Sequence, residues 1–118
     1  MDREDLKQRT KQFGLRIIKL CNSISKSKTA DVISGQLLRA GTSVGSNYRA
    51  ACRAKSNADF IYKLKIVEEE ADESLYWMEL LTDAGIIEQR LLVDLMKEGN
   101  EILSIIVSSI KSARRKSK

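Results

Sequence analysis

Five carboxylates, Glu68, Glu69, Glu70, Asp72 and Glu73, crowd a single stretch of the chain. Carboxylates so close together supply oxygen ligands for a metal, or acceptors for arginine and amide donors. Histidine is absent and only two cysteines occur. The Glu-x-x-His pairs of di-iron bundles therefore cannot be built, and zinc would need a carboxylate-rich site. Ser-His or Cys-His nucleophilic catalysis is impossible within one copy. These residue types predict no catalytic residue, no metal and no cofactor, and hence no enzyme. Charge pairing is the expected role instead. Upstream, Arg39, Ser43 and Asn47 lie on a narrow strip of small and polar residues. Glu69 and Glu73 are expected to accept hydrogen bonds from Arg39 and Asn47, closing a polar cluster. A buried pair of this kind adds specificity of register more surely than stability.

Basic residues form the second candidate site. Arg49, Arg53, Lys55, Lys63 and Lys65 surround an expected turn, and Arg114, Arg115, Lys116 and Lys118 end the chain. Both groups are candidates for phosphate contacts with RNA or DNA, against the plainer reading of a solvated basic end and a solubilising tail. Base stacking is not expected from these groups, so any such binding would be electrostatic. Charge is strongly segregated. Residues 1–38 carry +4, 39–65 carry +5, 66–101 carry −9 and 111–118 carry +5. The final segment alone equals the net charge of +5. The basic isoelectric point therefore says little about the body of the protein.

The elements that position these groups read as helices. At 118 residues with 42% hydrophobic content and no proline, the chain suits one mostly helical domain. No stretch of eighteen apolar residues occurs, which excludes a membrane-spanning helix. The opening MDREDLKQRT is charged where a signal peptide needs an apolar core, so a cytoplasmic location is expected. Cys21 and Cys52 fall at apolar helical positions and are expected to be core-packed free thiols.

Four apolar periods follow in order. Residues 2–26 carry Leu6, Thr10, Phe13, Ile17, Leu20 and Ile24 at spacings of four and three. Residues 30–54, with Thr29 as expected N-cap, place Ile33, Leu37, Val44, Tyr48 and Ala51 on one face, and Gly41 and Gly45 favour a close approach to a neighbour. Residues 57–84 carry Phe60, Leu64, Val67, Ala71, Leu75 and Met78 after a Ser56–Asp59 capping signal, and Gly85 reads as a C′ glycine. Residues 88–111 hold Leu91, Leu92, Leu95, Met96, Ile102, Leu103, Ile106 and Ile110, with a weak point at Gly99-Asn100. Short connections between long helices predict an antiparallel, up-down-up-down four-helix bundle over residues 1–110, with 111–118 a basic tail that frays into solvent.

The third helix has more apolar surface than one core needs. A second row, Tyr62, Ile66, Trp77 and Leu80, runs along its far side with Glu69 and Glu73 in it. A monomer rarely exposes such a row, so these positions are the expected interface with another copy.

The stretch from Gln36 to Leu81, QLLRAGTSVGSNYRAACRAKSNADFIYKLKIVEEEADESLYWMELL, closely resembles the small bacterial bundle proteins of the 23S rRNA intervening-sequence family. The Arg39, Ser43 and Asn47 pattern, the S-x-A-D-F turn and the E-E-A-D-E-x-x-Y-W run occur together in that order. The resemblance implies a four-helix bundle assembling as a ring-shaped homopentamer, of largely undefined biochemical function. It also implies a neighbouring copy as partner for the second row. A related branch, the accessory protein of diversity-generating retroelements, implies an alternative role: a nucleic-acid-binding factor for a reverse transcriptase.

Overall fold

The first expected period folds as α1, Arg3–Ser23, started by the Asp2 side chain accepting from the Asp5 amide. In the computed structural model, which describes residues 1–117, three further helices follow: α2, Lys28–Ala51, α3, Asn57–Asp83, and α4, Val93–Lys116. Together they make a four-helix bundle, 49 × 21 × 20 Å. Each helix packs on the next in chain order, while α4 meets α1 only thinly.

Helix boundaries are fixed by side chains competing for free amides. Ser27, not Thr29, caps α2, accepting from the Ala30 amide at 3.1 Å. That choice leaves Lys28 and Thr29 inside the first turn. α2 also stops at Ala51, short of the expected Ala54, so the turn to α3 is longer than the sequence suggested. Ser56 caps α3 as expected, accepting from the Asp59 amide at 3.0 Å. The returning half of the box is shifted by one residue, because the Asp59 carboxylate accepts from the Lys55 amide rather than from that of Ser56. At the other end Gly85 takes φ +72°. Its amide bonds the Thr82 carbonyl and the Ile86 amide bonds that of Leu81, the Schellman arrangement that a C′ glycine permits.

The fourth element departs furthest from the periodic reading. A single 3-10 turn, Gln89–Leu91, precedes α4, and buried Leu92 joins the two. Leu91, expected in the core, points outward at 59% exposure. α4 passes Gly99-Asn100 without interruption and continues to Lys116. Arg114, Arg115 and Lys116 are therefore its last turn rather than part of a frayed tail, well placed against the negative end of the helix dipole. Lys118 lies outside the described residues. Asn57, first residue of α3, fastens this end by donating to the Ala113 carbonyl at 2.7 Å and to Ser117 Oγ at 2.6 Å.

The core collects the expected stripes: Leu6, Phe13 and Ile17 from α1, Leu37, Val44 and Tyr48 from α2, Leu64, Val67 and Met78 from α3, Ile102 and Ile106 from α4. Cys21 and Cys52 are half-buried free thiols packed against it, and burial raises the thiol pKa of Cys21.

Two glycines set the α1–α2 distance. A Cβ on Gly41 would lie 2.7 Å from Ile17 Cγ1 and 2.9 Å from Cγ2, and one on Gly45 would lie 3.3 Å from the Thr10 carbonyl. Ile17 is wholly buried, so it has nowhere to move. Gly99 plays the same part for α4, approaching Leu75 and Phe13. α4 and α1 are held instead by Arg9, whose guanidinium donates two bonds of 2.7 Å to Glu98 and lies 3.4 Å from Glu101.

Gly41→Ala is expected to destabilise by about 1–3 kcal/mol through overpacking against Ile17. Gly35→Ala, at an exposed site with nothing within 4 Å, is expected to gain up to about 1 kcal/mol of helix propensity. Urea unfolding of the two variants beside wild type checks both signs.

Candidate functional site

The polar cluster forms, with one change of partner. Arg39 reaches across from α2 to α3 and bonds two carboxylates, Glu70 Oε2 at 3.0 Å and Glu73 Oε1. Glu69, expected in the cluster, is exposed and takes no part. The reason is angular: Glu70 and Glu73 share the face toward α2, while Glu69 lies about 100° round from Glu70, beyond Glu73 on the solvent side. Ser43 and Asn47 are not members either. Each bonds its own helix four residues back, Ser43 Oγ to the Arg39 carbonyl at 2.6 Å and Asn47 Nδ2 to the Ser43 carbonyl at 2.9 Å. The member that sequence missed is Trp77, whose ring N–H donates to Glu73 Oε1 at 3.1 Å. Glu73 thus accepts from both Trp77 and Arg39. Those two bonds, the Trp77 one first, lower the pKa of its carboxyl, and Arg39 is raised in turn.

The second α3 row splits. Trp77 lies half-buried against the core, its ring edge-on to Tyr76 with centroids 5.2 Å apart. Ile66 and Leu80 are half-buried, and Tyr62 is 64% exposed. Tyr76, beside this row, is 52% exposed. The described single copy therefore leaves an outward strip along α3 in two apolar halves, Tyr62 with Ile66 and Tyr76 with Leu80, with Glu69 and Glu73 between them.

The basic candidates do not form one patch. Lys63 is engaged with Asp59 at 2.9 Å, and Lys65 stands exposed further along α3. Arg49 and Arg53 line a groove between α1 and α2, together with Lys7, Lys11, Leu15 and Ile18. Lys55 belongs to the end of the bundle, where Arg3, Asn57 and Phe60 line a shared pocket. The Arg3 guanidinium sits 4.6 Å above the Phe60 ring. The last turn of α4 reaches this end, and Lys116 and Arg3 line the adjoining cleft. The basic end thus gathers Arg3, Lys55 and Lys116, with Arg114 and Arg115 in the same last turn. Arg3 was not among the sequence candidates, because only the fold brings residue 3 beside residues 55 and 116.

Among the described residues no group of acidic or sulfur side chains has the arrangement of a metal site, and no helix is long and apolar enough to cross a membrane. Residues 3–108 match the family of 23S rRNA-intervening sequence proteins. The chain belongs to that family. A crystal structure of a protein of unknown function from the S23 ribosomal protein family of Bacteroides thetaiotaomicron is 37% identical, with a TM-score of 0.87 over 94% of this chain and 99% of that one. No curated protein matches. The solved neighbour shares the fold. Neither family nor neighbour describes a reaction.

The Glu73 contacts carry a pH prediction. Its folded-state pKa is depressed, so the stabilisation is complete above the unfolded-state value and disappears as pH falls through the folded-state value. Glu73→Gln is expected to be less stable than wild type near neutrality and to converge on it in acid. Unfolding midpoints between about pH 7 and about pH 3, read by the fluorescence of Trp77, test this; parallel curves for the two proteins would contradict it.

Proposed function

We propose that this protein is a non-enzymatic, self-assembling element of the cytoplasm, whose copies close into a ring and present basic ends to RNA. The observation that carries the assembly is the α3 strip: Tyr62 and Tyr76 stand exposed, with Ile66 and Leu80 half-buried beside them, after the core of one copy is already complete. Burying such a strip against a second copy removes apolar area from water at roughly 25 cal/mol per Å². Five copies is the count that the family resemblance implies.

The antiparallel, up-down-up-down course of the chain is supported by contact order. Thr10 meets Gly45 and Ile17 meets Gly41, while Asn57 meets Ala113 and Gly99 approaches Leu75. In each pair of helices, positions rise along one as they fall along the other.

RNA binding rests on Arg3, Lys55, Arg114, Arg115 and Lys116. A ring repeats this end once per copy, which raises the effective affinity of a weak patch without new contacts. The same end supports the second reading, an accessory factor that holds nucleic acid for a reverse transcriptase.

Two measurements test the reading. Tyr62→Asp, at an exposed site, is expected to sediment as a smaller species with helicity retained; wild-type size would remove the strip as an interface. For RNA, replacing Lys55, Arg115 and Lys116 together by alanine is expected to weaken binding of an unstructured oligoribonucleotide. The slope of log K against log salt should fall by about 2, as for three lost single-strand phosphate contacts. A wild-type isotherm that is flat between low and moderate salt would end the electrostatic proposal.

A further inference from the structure

The groove between α1 and α2 is the feature that neither the bundle nor the basic end explains. It encloses about 590 Å³ and is built where side chains are missing: Gly14 and Gly45 line it beside Thr10, Thr42 and Ser46. Toward one end stand Leu15, 48% exposed, and Ile18, 40% exposed. Toward the other stand Lys7, Lys11, Arg49 and Arg53, with Glu4 the single carboxylate of the lining.

We propose that this groove receives the α3 strip of a second copy, so that the junction is head-to-tail. The proposal rests on the self-assembly reading and names the surface that the strip docks against. Charge selects the pairing. Residues 66–83 of α3 contain seven carboxylates and no lysine or arginine, and the strip holds exposed Glu69 in its middle. Strip against strip would set carboxylates facing carboxylates, and groove against groove would do the same with cations. Strip against groove pairs unlike charges and also matches apolar parts: Tyr62 and Ile66 meet Leu15 and Ile18, and Glu69, one turn beyond Ile66, faces Lys11, one turn from Leu15. Complementary fields of this kind fix partner and register. A nucleic acid strand is the poorer occupant, because Leu15 and Ile18 give phosphate nothing and the lining holds no aromatic ring for a base.

The two faces lie on adjacent sides of the bundle. The groove is between α1 and α2, whereas the strip is on the flank of α3 next to α2, where Glu73 meets Arg39. A heterologous junction between different faces generates a ring when its rotation closes and a filament when it does not, and the ring is the case that the assembly reading takes. Arg49 and Arg53 then belong to the junction and are withdrawn from the nucleic-acid candidates.

Mixing two defective chains tests this. Leu15→Asp spoils the groove and Tyr62→Asp spoils the strip, each at an exposed position. Each alone is expected to sediment as monomer with wild-type helicity. Mixed in equal amounts they are expected to form a species of two chains and nothing larger, since one good groove and one good strip make a single junction. Arg53→Glu, a milder lesion in the same groove, is expected to shift the wild-type assembly to smaller species at a lower salt concentration. If Leu15→Asp and Arg53→Glu both keep wild-type size while Tyr62→Asp does not, the groove assignment falls and self-assembly through the strip stands. If all three keep wild-type size, the self-assembly reading itself fails. Two monomeric variants that remain monomeric on mixing overturn the head-to-tail junction. Groove variants of wild-type size that lose retention of the oligoribonucleotide would make the groove a nucleic-acid surface instead.

Discussion

The close approach of α1 to α2 is the constraint from which the rest of the bundle follows. Ile17 occupies the space over Gly41 that a methyl group would need, and Thr10 lies against Gly45. At this separation the outward-facing side chains of both helices cannot fill the space between them, and Gly14 adds nothing to it. A groove therefore remains on the outer side, with Leu15 and Ile18 beside it. On the opposite flank of α1 the geometry is the reverse. α4 stands off from α1, and the gap is crossed by a long side chain, Arg9, reaching Glu98 in a two-bond fork. Bidentate arginine contacts are directional, so this strut adds a register between α4 and α1 to the packing of α4 on α3.

Segregated charge serves the same end from a different direction. Arg9 and Arg39 each bind two carboxylates of a later helix. Both pairs are only partly buried. Their value therefore lies more in choosing a register than in net stabilisation, since exposed ion pairs are weak and buried ones carry a desolvation penalty. A bundle of similar apolar stripes has several registers of comparable burial, and two arginine forks discriminate among them.

Much of this was legible in the chain itself. The a/d-type seam of α1, the Ser56 cap and the Gly85 stop are local signals, each determined by residues within a turn of one another, and each appears where the pattern placed it. What was hidden is what depends on a helix's rotation or on a distant partner. The choice of Glu70 over Glu69 turns on one step of rotation. Arg9 with Glu98 spans 89 positions, and nothing near Arg9 announces the partner. Arg3 joins the basic end only because the chain returns there twice. Leu91 and the start of α4 were misread because an apolar run carries no mark of where a 3-10 turn ends and a helix begins. The basic tail was misread for a related reason: charge density looked like fraying, yet Ala113 is buried and its carbonyl is bonded by Asn57.

Trp77 shows how one residue of an outward row is tied into its own copy. Tryptophan in an outward row looks like surface waiting for a partner. Here its ring rests on the core, and its N–H is spent on Glu73, which Arg39 also holds. Its indole is thus anchored within one copy while it stays half-exposed. What remains outward on α3 is two tyrosines, each followed one turn on by an aliphatic residue, Ile66 after Tyr62 and Leu80 after Tyr76, a surface that is apolar and able to keep its hydroxyls in contact with water. Such a strip can stand exposed on a single chain without collapsing it, and still lose apolar area to a groove of complementary charge. A row built on tryptophan alone would have had to choose one or the other. The division of labour between Trp77 inside and Tyr62 and Tyr76 outside is thus what lets one helix serve both the core of its own copy and the proposed junction with the next.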